Sequence, residues 1–373
     1  MPGSCSGSSM STERACATAA AALLAAAAAA AQEIPPLPPP GIDLPNVVLV
    51  SVGGEIATSC EEPLELAGCE SGGETFAPET WARDLPDVGL VARIVTEDLR
   101  ALSRADGGAA PEHWYGLAER LQQLARDPVV DGVVVTQGAD GIADTAFFLN
   151  LVLPTRKPVV LVAAQRPWSA VSGDGPLNLY DAVRVAADPA AAGKGVLVVA
   201  NQEVHAARDA RRTSTYRMDG FGSVDLGPIG VADPDVVRFF TEPTRRHTHR
   251  SEFELAALPE SLPAVEIVAA VPDAPGRLID ASAAAGAKGL VVDGAAGLSG
   301  GQREALRRAR DQGILVVATS ATRGGRVPET AALRDSGIIP GDNLTPTKAR
   351  TLLQLALAIT TDPAEVRRFF AEY

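Results

Sequence analysis

Glu55 stands directly behind Gly53 and Gly54 in SVGGEIATS, where the apolar run NVVLV gives out. Glycines at a strand end let the backbone approach a ligand, and the residue just past them is held at the mouth of an open α/β sheet, where such folds bind small molecules. Asp140 sits in a second glycine-bounded stretch, TQGADG, behind the run VDGVVV. Two carboxylates flanking one small pocket could share a proton and act as general acid and base on a water or a carbon acid. They could also ligate a hard cation, although two carboxylates alone make a poor site. Asp140 has a second reading as a helix N-cap ahead of GIADTAFF, because Asp accepts well from the free N–H groups of a first turn. Thr58 and Ser59 follow Glu55 closely enough to be alternative hydroxyl nucleophiles, but neither has an evident base.

Four cysteines fall into two pairs along the chain, Cys5 with Cys16 and Cys60 with Cys69. Residues 1–31 carry Arg14 ahead of the stretch ACATAAAALLAAAAAAA and end in small residues, the pattern of a signal peptide with an A-x-A type cleavage site. The alternative is a low-complexity alanine tail in the cytoplasm, and Met10 offers a second start. Cleavage would remove Cys5 and Cys16 and leave Cys60 and Cys69, an even pair across a short loop, for which a disulfide in an oxidising compartment is the natural expectation. Two unrelated thiols are the other possibility, because spacing does not show bridging reach. The expected location is periplasmic or secreted. Residues 32–43 contain EIPPLPPPG, a stiff extended linker. Beyond the alanine-rich segment no stretch of about 18 apolar residues occurs, so no membrane span is expected.

The 373-residue chain alternates strand and helix patterns from Asn46 onward, and these elements must hold the residues above. VDGVVVTQ, KPVVLVAA and KGVLVVAN read as strands buried on both faces of a parallel sheet. GIADTAFFLNLVL and PLNLYDAVRVAAD carry apolar residues at helical spacing. After the aperiodic segment 243–263, AVEIVAAV, KGLVVDGAAG and GILVVATS repeat the strand signature around the amphipathic SGGQREALRRARDQ. Two helices close the chain. The last is expected to begin with Asp362 as cap, Pro363 at the first position and Glu365 reaching back. This gives an α/β chain with a larger first domain over 44–242, a connection over 243–263 and a smaller domain over 264–373. The net charge of -13 argues against nucleic acid, which needs clustered Lys and Arg.

Three of the loops behind these strands resemble, together, the bacterial L-asparaginase and glutaminase family. VGGEIA looks like the family's TGGTIA, QGADG like HGTDT, RPWSAVSGDGPLNLYDAV like RPSTSMSADGPFNLYNAV, and TPTKARTLLQLAL like NPQKARVLLQLAL. The resemblance runs from Leu44 to Tyr373 and implies the asparaginase-like fold: a larger N-terminal parallel-sheet domain and a smaller Rossmann-like C-terminal one. It implies a homo-oligomer, a tetramer or a dimer of the active-site type, with sites between subunits. It also implies hydrolysis of the side-chain amide of asparagine or glutamine through an acyl-threonine, with no cofactor. Asp140 matches the aspartate that holds the substrate α-amino group, Ser103 the serine that contacts its carboxylate with Arg104 beside it, and Gly54 and Gly138 the glycines of the two motifs. The family's stretch RKHTSDTPF resembles the one around His247 and His249, where it has no ligand role, so these two read as structural or surface residues rather than a metal site.

The chain departs from the family where the chemistry lies. The nucleophilic threonine aligns with Glu55, the second catalytic threonine with Ala139, and the assisting lysine, taken from the family's AADK, with Pro189 in AADP. No tyrosine occurs between Glu55 and Asp84, where the family's mobile loop carries one. A carboxylate attacking an amide would give an anhydride rather than an ester, and its charge would oppose the oxyanion. The usual hydrolysis is therefore expected to be absent or severely slowed, with a non-catalytic binder of small amino acids or amides as the alternative. Cys60 and Cys69 fall in the segment that closes over substrate in relatives, where a bridge would either stiffen that movement or stabilise a long loop.

Overall fold

The computed structural model describes residues 43–102, 113–322 and 324–373. The signal-like stretch, most of the proline-rich linker, Ser103 and Arg104 lie outside them. The first sheet grows from β1 (Asn46–Ser51). A small hairpin of β2 (Thr58–Cys60) and β3 (Gly73–Thr75) follows, then the sheet strands β4 (Arg93–Asp98), β5 (Gly132–Thr136), β6 (Val159–Val162), β7 (Val196–Ala200) and β8 (Glu203–Ala206). The ribbon of β9 (Arg211–Arg212) and β10 (Phe221–Gly222) stands apart, and β11 (Gly230–Ala232) and β12 (Val237–Phe239) complete the sheet. Its order is β12-β11-β8-β7-β6-β5-β1-β4. β4, β1, β5, β6 and β7 run parallel, whereas β8, β11 and β12 extend the edge antiparallel.

Helices α1 (Glu79–Asp84), α2 (Trp114–Arg126), α3 (Ile142–Val152) and α4 (Gly175–Ala187) connect these strands. Alternation along each strand feeds two cores. Val48, Val50, Val133 and Val135 face α2 and α3, while Val47, Leu49, Val134 and Val160 face α4. α2 buries Trp114, Leu117, Ala118, Leu121 and Leu124, the three-and-four spacing of one helix face. The second sheet, all parallel, orders β13 (Val265–Ala269), β14 (Gly289–Asp293), β15 (Leu315–Thr319) and β16 (Ile339–Pro340). Its helices are α5 (Arg277–Ala284), α6 (Gly300–Asp311), α7 (Ala331–Asp335), α8 (Pro346–Ile359) and α9 (Pro363–Glu372).

The asparaginase-like α/β architecture expected from the sequence is the one present: a large mixed, mainly parallel sheet and a smaller parallel one. The two halves share a core, because Val265, Val291, Val317, Leu353 and Phe369 join the same apolar cluster as α2 and α3. At α9, Asp362 accepts from the Ala364 N–H at 2.9 Å as a cap should. Glu365 departs from the expectation and takes Arg368 at 3.0 Å instead, an i,i+3 pair on its own helix. A full capping box forms elsewhere, between Ser299 and Gln302 at the start of α6.

Candidate active site

The C-terminal ends of β1, β5 and β6 lie side by side, so the three loops behind them share one edge of the sheet. Leaving β1, the Val52 N–H donates to Thr136 O at 2.9 Å and ties the first loop to the second. Gly53 and Gly54 then turn the chain with φ of 103° and 94°, a region that disfavours any other residue. An added Cβ at Gly54 would stand 2.5 Å from the Gly138 Cα and closer still to its nitrogen, so the two turns meet backbone to backbone. The Ala57 N–H and the Thr58 hydroxyl both donate to Gly54 O, at 2.8 and 2.9 Å. The loop after β6 is organised by Asp174, whose carboxylate accepts from the N–H groups of Gln165 at 2.9 Å and Arg166 at 3.1 Å and from Asn178 Nδ2 at 3.0 Å. The Trp168 N–H reaches back to Thr58 O at 2.7 Å and fastens this loop over the first.

These turns bring Gly54, Glu55, Gly138, Ala139 and Asp140 together. Glu55 is half-buried, and its Oε2 is enclosed with no hydrogen-bond partner. Burial raises its carboxyl above the ordinary value, against the lowering pull of the backbone N–H groups of Glu55 and Ala139 and of the Arg212 guanidinium; Asp140 adds to the rise. Ala139 is buried and brings no hydroxyl to the turn. Asp140 does not cap α3, whose N-cap is Gly141 in a left-handed conformation with no side-chain cap. Instead Asp140 Oδ1 pairs with Arg212 while the side chain stays 73% exposed. Arg212 also donates to Gln165 Oε1 at 2.8 Å and to Thr215 O at 2.6 Å, and its Nε is buried without a partner.

Arg212 was not singled out by the sequence, although RRTSTY behind a strand pair is a visible cationic signal. Pro189 must be corrected. α4 starts at Gly175, on the side of Asp174 and the loops, and runs back across the sheet, so Pro189, exposed just past its end, lies with the strand N-termini. It belongs to the opposite edge, and the cation beside Asp140 is Arg212.

Thr58 spends its hydroxyl on Gly54 O, and Ser59 lies opposite Glu74 in the β2–β3 hairpin. Cys60 and Cys69 are bonded, with their Cα atoms 5.0 Å apart, which closes that hairpin's loop. Together with Glu65 they form the one cluster of three ligand-type side chains among the described residues, and its sulfurs are already spent on each other. His247 is buried, bonded to Thr248 Oγ1 and Arg250 at 2.9 Å each, and its pKa falls to about 4 because of burial and the neighbouring Arg250. His249 meets Arg156 at 3.0 Å. With arginines as neighbours, these two rings do not make a cation site.

A cavity of about 670 Å³ opens from Ala139, Asp140 and Arg212 toward Ser320, Thr322 and Asn343 of the smaller half. Ala139 lines it and Glu55 does not. Among the described residues, no helix is long and apolar enough to cross a membrane.

Comparison with known proteins agrees along the chain. Residues 46–245 match the family model "Asparaginase, N-terminal" and residues 264–370 match "Glutaminase/Asparaginase C-terminal domain". L-asparaginase 2 of Bacillus subtilis is 35% identical over 89% of this chain and 87% of its own. The probable periplasmic L-asparaginase of Haemophilus influenzae is 35% identical over 89% of this chain and 94% of its own. Among solved structures, a probable cytoplasmic L-asparaginase from Campylobacter jejuni superposes with a TM-score of 0.82 at 32% identity, covering 88% of this chain and all of that one.

Proposed function

The chain belongs to the asparaginase and glutaminase family, and from that premise we propose that it is a divergent member. In this reading it binds a small amino acid or amide against Asp140, and the threonine-based hydrolysis of a side-chain amide is lost or severely slowed. One observation carries the reading: the side chain behind the two glycines is a carboxyl, Glu55, and its neighbour across the touching turns is Ala139, so neither turn presents a hydroxyl. An acyl-ester route needs a hydroxyl with a base to draw off its proton. Arg212 supplies no such base, because a guanidinium stays protonated in proteins.

The test is ammonia release from L-asparagine and L-glutamine by the purified mature chain over a broad pH range. Loss of a nucleophile costs on the order of 10⁴ to 10⁶ in kcat at a hydrolytic site, so the expected result is no release above the blank. Turnover at rates ordinary for enzymes, 1–10³ s⁻¹ or roughly so, would refute it. Glu55→Thr then reports on the remainder of the site. Recovered turnover would mean that only the nucleophile is missing, and continued silence would make Ala139 equally limiting.

We further propose export to the periplasm or medium, supported by the alanine-rich leader and by the bonded cysteines; the names of the relatives include one periplasmic and one cytoplasmic protein. A homo-oligomer is expected as well. Leu226 and Phe240, 71% and 65% exposed, are large apolar side chains that an assembly would cover. Light scattering on the purified protein reads the mass directly.

A further inference from the structure

A second cavity, of about 550 Å³, is lined by the segment after β8 in the larger half, by residues 241–247 and by Arg326 and Asp342 of the smaller half. Glu55, Asp140 and Arg212 have no part in it, and it shares Gly325 and Asn343 with the cavity described above. Its charges are uneven. Asp342 Oδ2 accepts from Arg208 at 2.9 Å and from Arg245 at 2.7 Å, and Asp342 Oδ1 accepts from Arg326 Nε at 3.3 Å. Arg208 also meets Asp209 at 3.1 Å. Three guanidiniums thus share two carboxylates, which leaves one positive charge over on a chain whose net charge is -13. The other charges in the lining are each paired: Lys194 with Glu242, Asp225 with Arg211, and Arg246 with Glu252 and Glu372. A guanidinium carries five N–H donors in a fixed fork, whereas a carboxylate offers about four acceptor sites, so three forks around Asp342 have donors to spare. Arg245 and Arg326 are the open ones, with side chains 38% and 68% exposed.

We propose that this cavity binds a small organic acid, one carboxylate on an apolar body, with the carboxylate held by the forks of Arg326 and Arg245. One surplus charge calls for one anionic group, and guanidinium forks match a carboxylate in shape as well as in sign. A phosphate dianion or a dicarboxylate would bring more charge than the site can balance. Space decides the remainder of the ligand. A lone carboxylate fills a small part of about 550 Å³, and the cavity is also bordered by Ala206, Ala207, Ile229 and Leu226, the last 71% exposed. Covering that leucine is what an apolar body gains. Because the lining comes from both halves, a bound acid also stabilises the folded chain by mass action.

The experiment is calorimetric titration of the mature chain with 3-phenylpropionate, beside 3-phenylpropanol, which lacks the charge, and inorganic phosphate, which lacks the apolar body. The acid is expected to bind about tenfold tighter than either control and to raise the melting temperature. Arg326→Gln removes the more exposed fork and should weaken the acid by about tenfold; Arg326→Lys, which keeps the charge without the fork, should fall between the two. Leu226→Ser should weaken the acid and leave phosphate as it was. Asp140→Ala should leave the acid untouched, because Asp140 does not line this cavity. Each variant is first shown to melt cooperatively, and Arg326→Lys serves as the test of the fork should Arg326→Gln not fold. The proposal is overturned if the acid fails to bind at about 10 mM, if the alcohol or phosphate binds as tightly, if the Arg326 variants keep wild-type affinity, or if Asp140→Ala abolishes binding, which would place the acid in the other cavity.

Discussion

Gly54 and Gly138 touch through backbone atoms, so the least tolerated change at the site is also the smallest. Gly54→Ala must relieve both a positive φ of 94° and a Cβ too close to the neighbouring turn. Strain of that kind costs about 1–3 kcal/mol and overpacking a similar amount. A stability loss on the order of 3 kcal/mol, read as a lower urea midpoint, is the expected result. Glu55 carries a pH signature. Its folded pKa is raised by burial, so the folded state holds the proton to higher pH than the unfolded chain, and stability declines as pH rises through the carboxylate range. Glu55→Gln should therefore gain in melting temperature over wild type as pH goes from 4 to 8 or about so, and a gap that stays flat would contradict the assignment. Both Glu55 and Asp140 were legible because a glycine turn anchors each. Arg212 was not, because it reaches Asp140 from 72 positions downstream with no such anchor. Pro189 misled for a related reason: a short motif gives the residue but not the edge of the sheet to which a returning helix delivers it.

The valine-rich parallel strands β1, β5, β6, β7, β13, β14 and β15 each lie inside a run marked in the sequence, since such runs between Gly and Pro leave little choice, whereas the half-exposed β4 and the short β16 carry no such run. The antiparallel edge was not marked, because β8, β11 and β12 span only four, three and three residues, too few to show a period. That edge nevertheless sets an acid limit. His205 on β8 is fully buried and burial pushes its pKa down to about 4, as it does for His247. A histidine held neutral by the fold contributes stability above its unfolded value, and that contribution disappears as pH falls from 6.5 toward 4. Each ring is worth on the order of 3 kcal/mol across that window. Melting temperature should drop steeply below pH 6.5, and less steeply in His247→Gln. The hairpin of β2 and β3 makes a separate contribution. Its loop is held by the Cys60–Cys69 bond, by the Cys60 N–H donating to Ser169 Oγ at 2.8 Å and by the Val171 N–H donating to Pro63 O at 2.8 Å. Replacing both cysteines by serine should cost about 2–3 kcal/mol from loop closure alone, with thiol labelling of the unfolded wild type as the check on the bond.

The largest-scale question is what makes two sheets behave as one body, and the answer converges on Lys348. It lies in the first turn of α8, 1% exposed, and its Nζ donates to Ala207 O at 2.8 Å, Arg208 O at 3.0 Å and Ala210 O at 2.5 Å, all in the segment after β8. Arg208 returns the connection, donating to Asp342 at 2.9 Å, Asn343 at 2.6 Å and Tyr373 O at 3.0 Å. These bonds sit against a continuous apolar cluster, so hydrophobic burial supplies the adhesion and the lysine fixes the register between the halves. Lys348 lies within the TPTKAR stretch, but no role for it was legible there, because its three acceptors come from a segment about 140 positions away with no local sign. Lys348→Met keeps the apolar stem beside Phe147 and strips three buried carbonyls of their donor. Each orphaned group costs about 1–3 kcal/mol, and relaxation recovers part, so a total near 3–5 kcal/mol is expected. Because the core is shared, the loss should appear as one earlier unfolding transition, followed by tryptophan fluorescence for the larger half and by hydrogen exchange of β14 and β15 for the smaller. Two separated transitions already in the wild type would show that the halves fold independently and that the lysine only decorates their boundary.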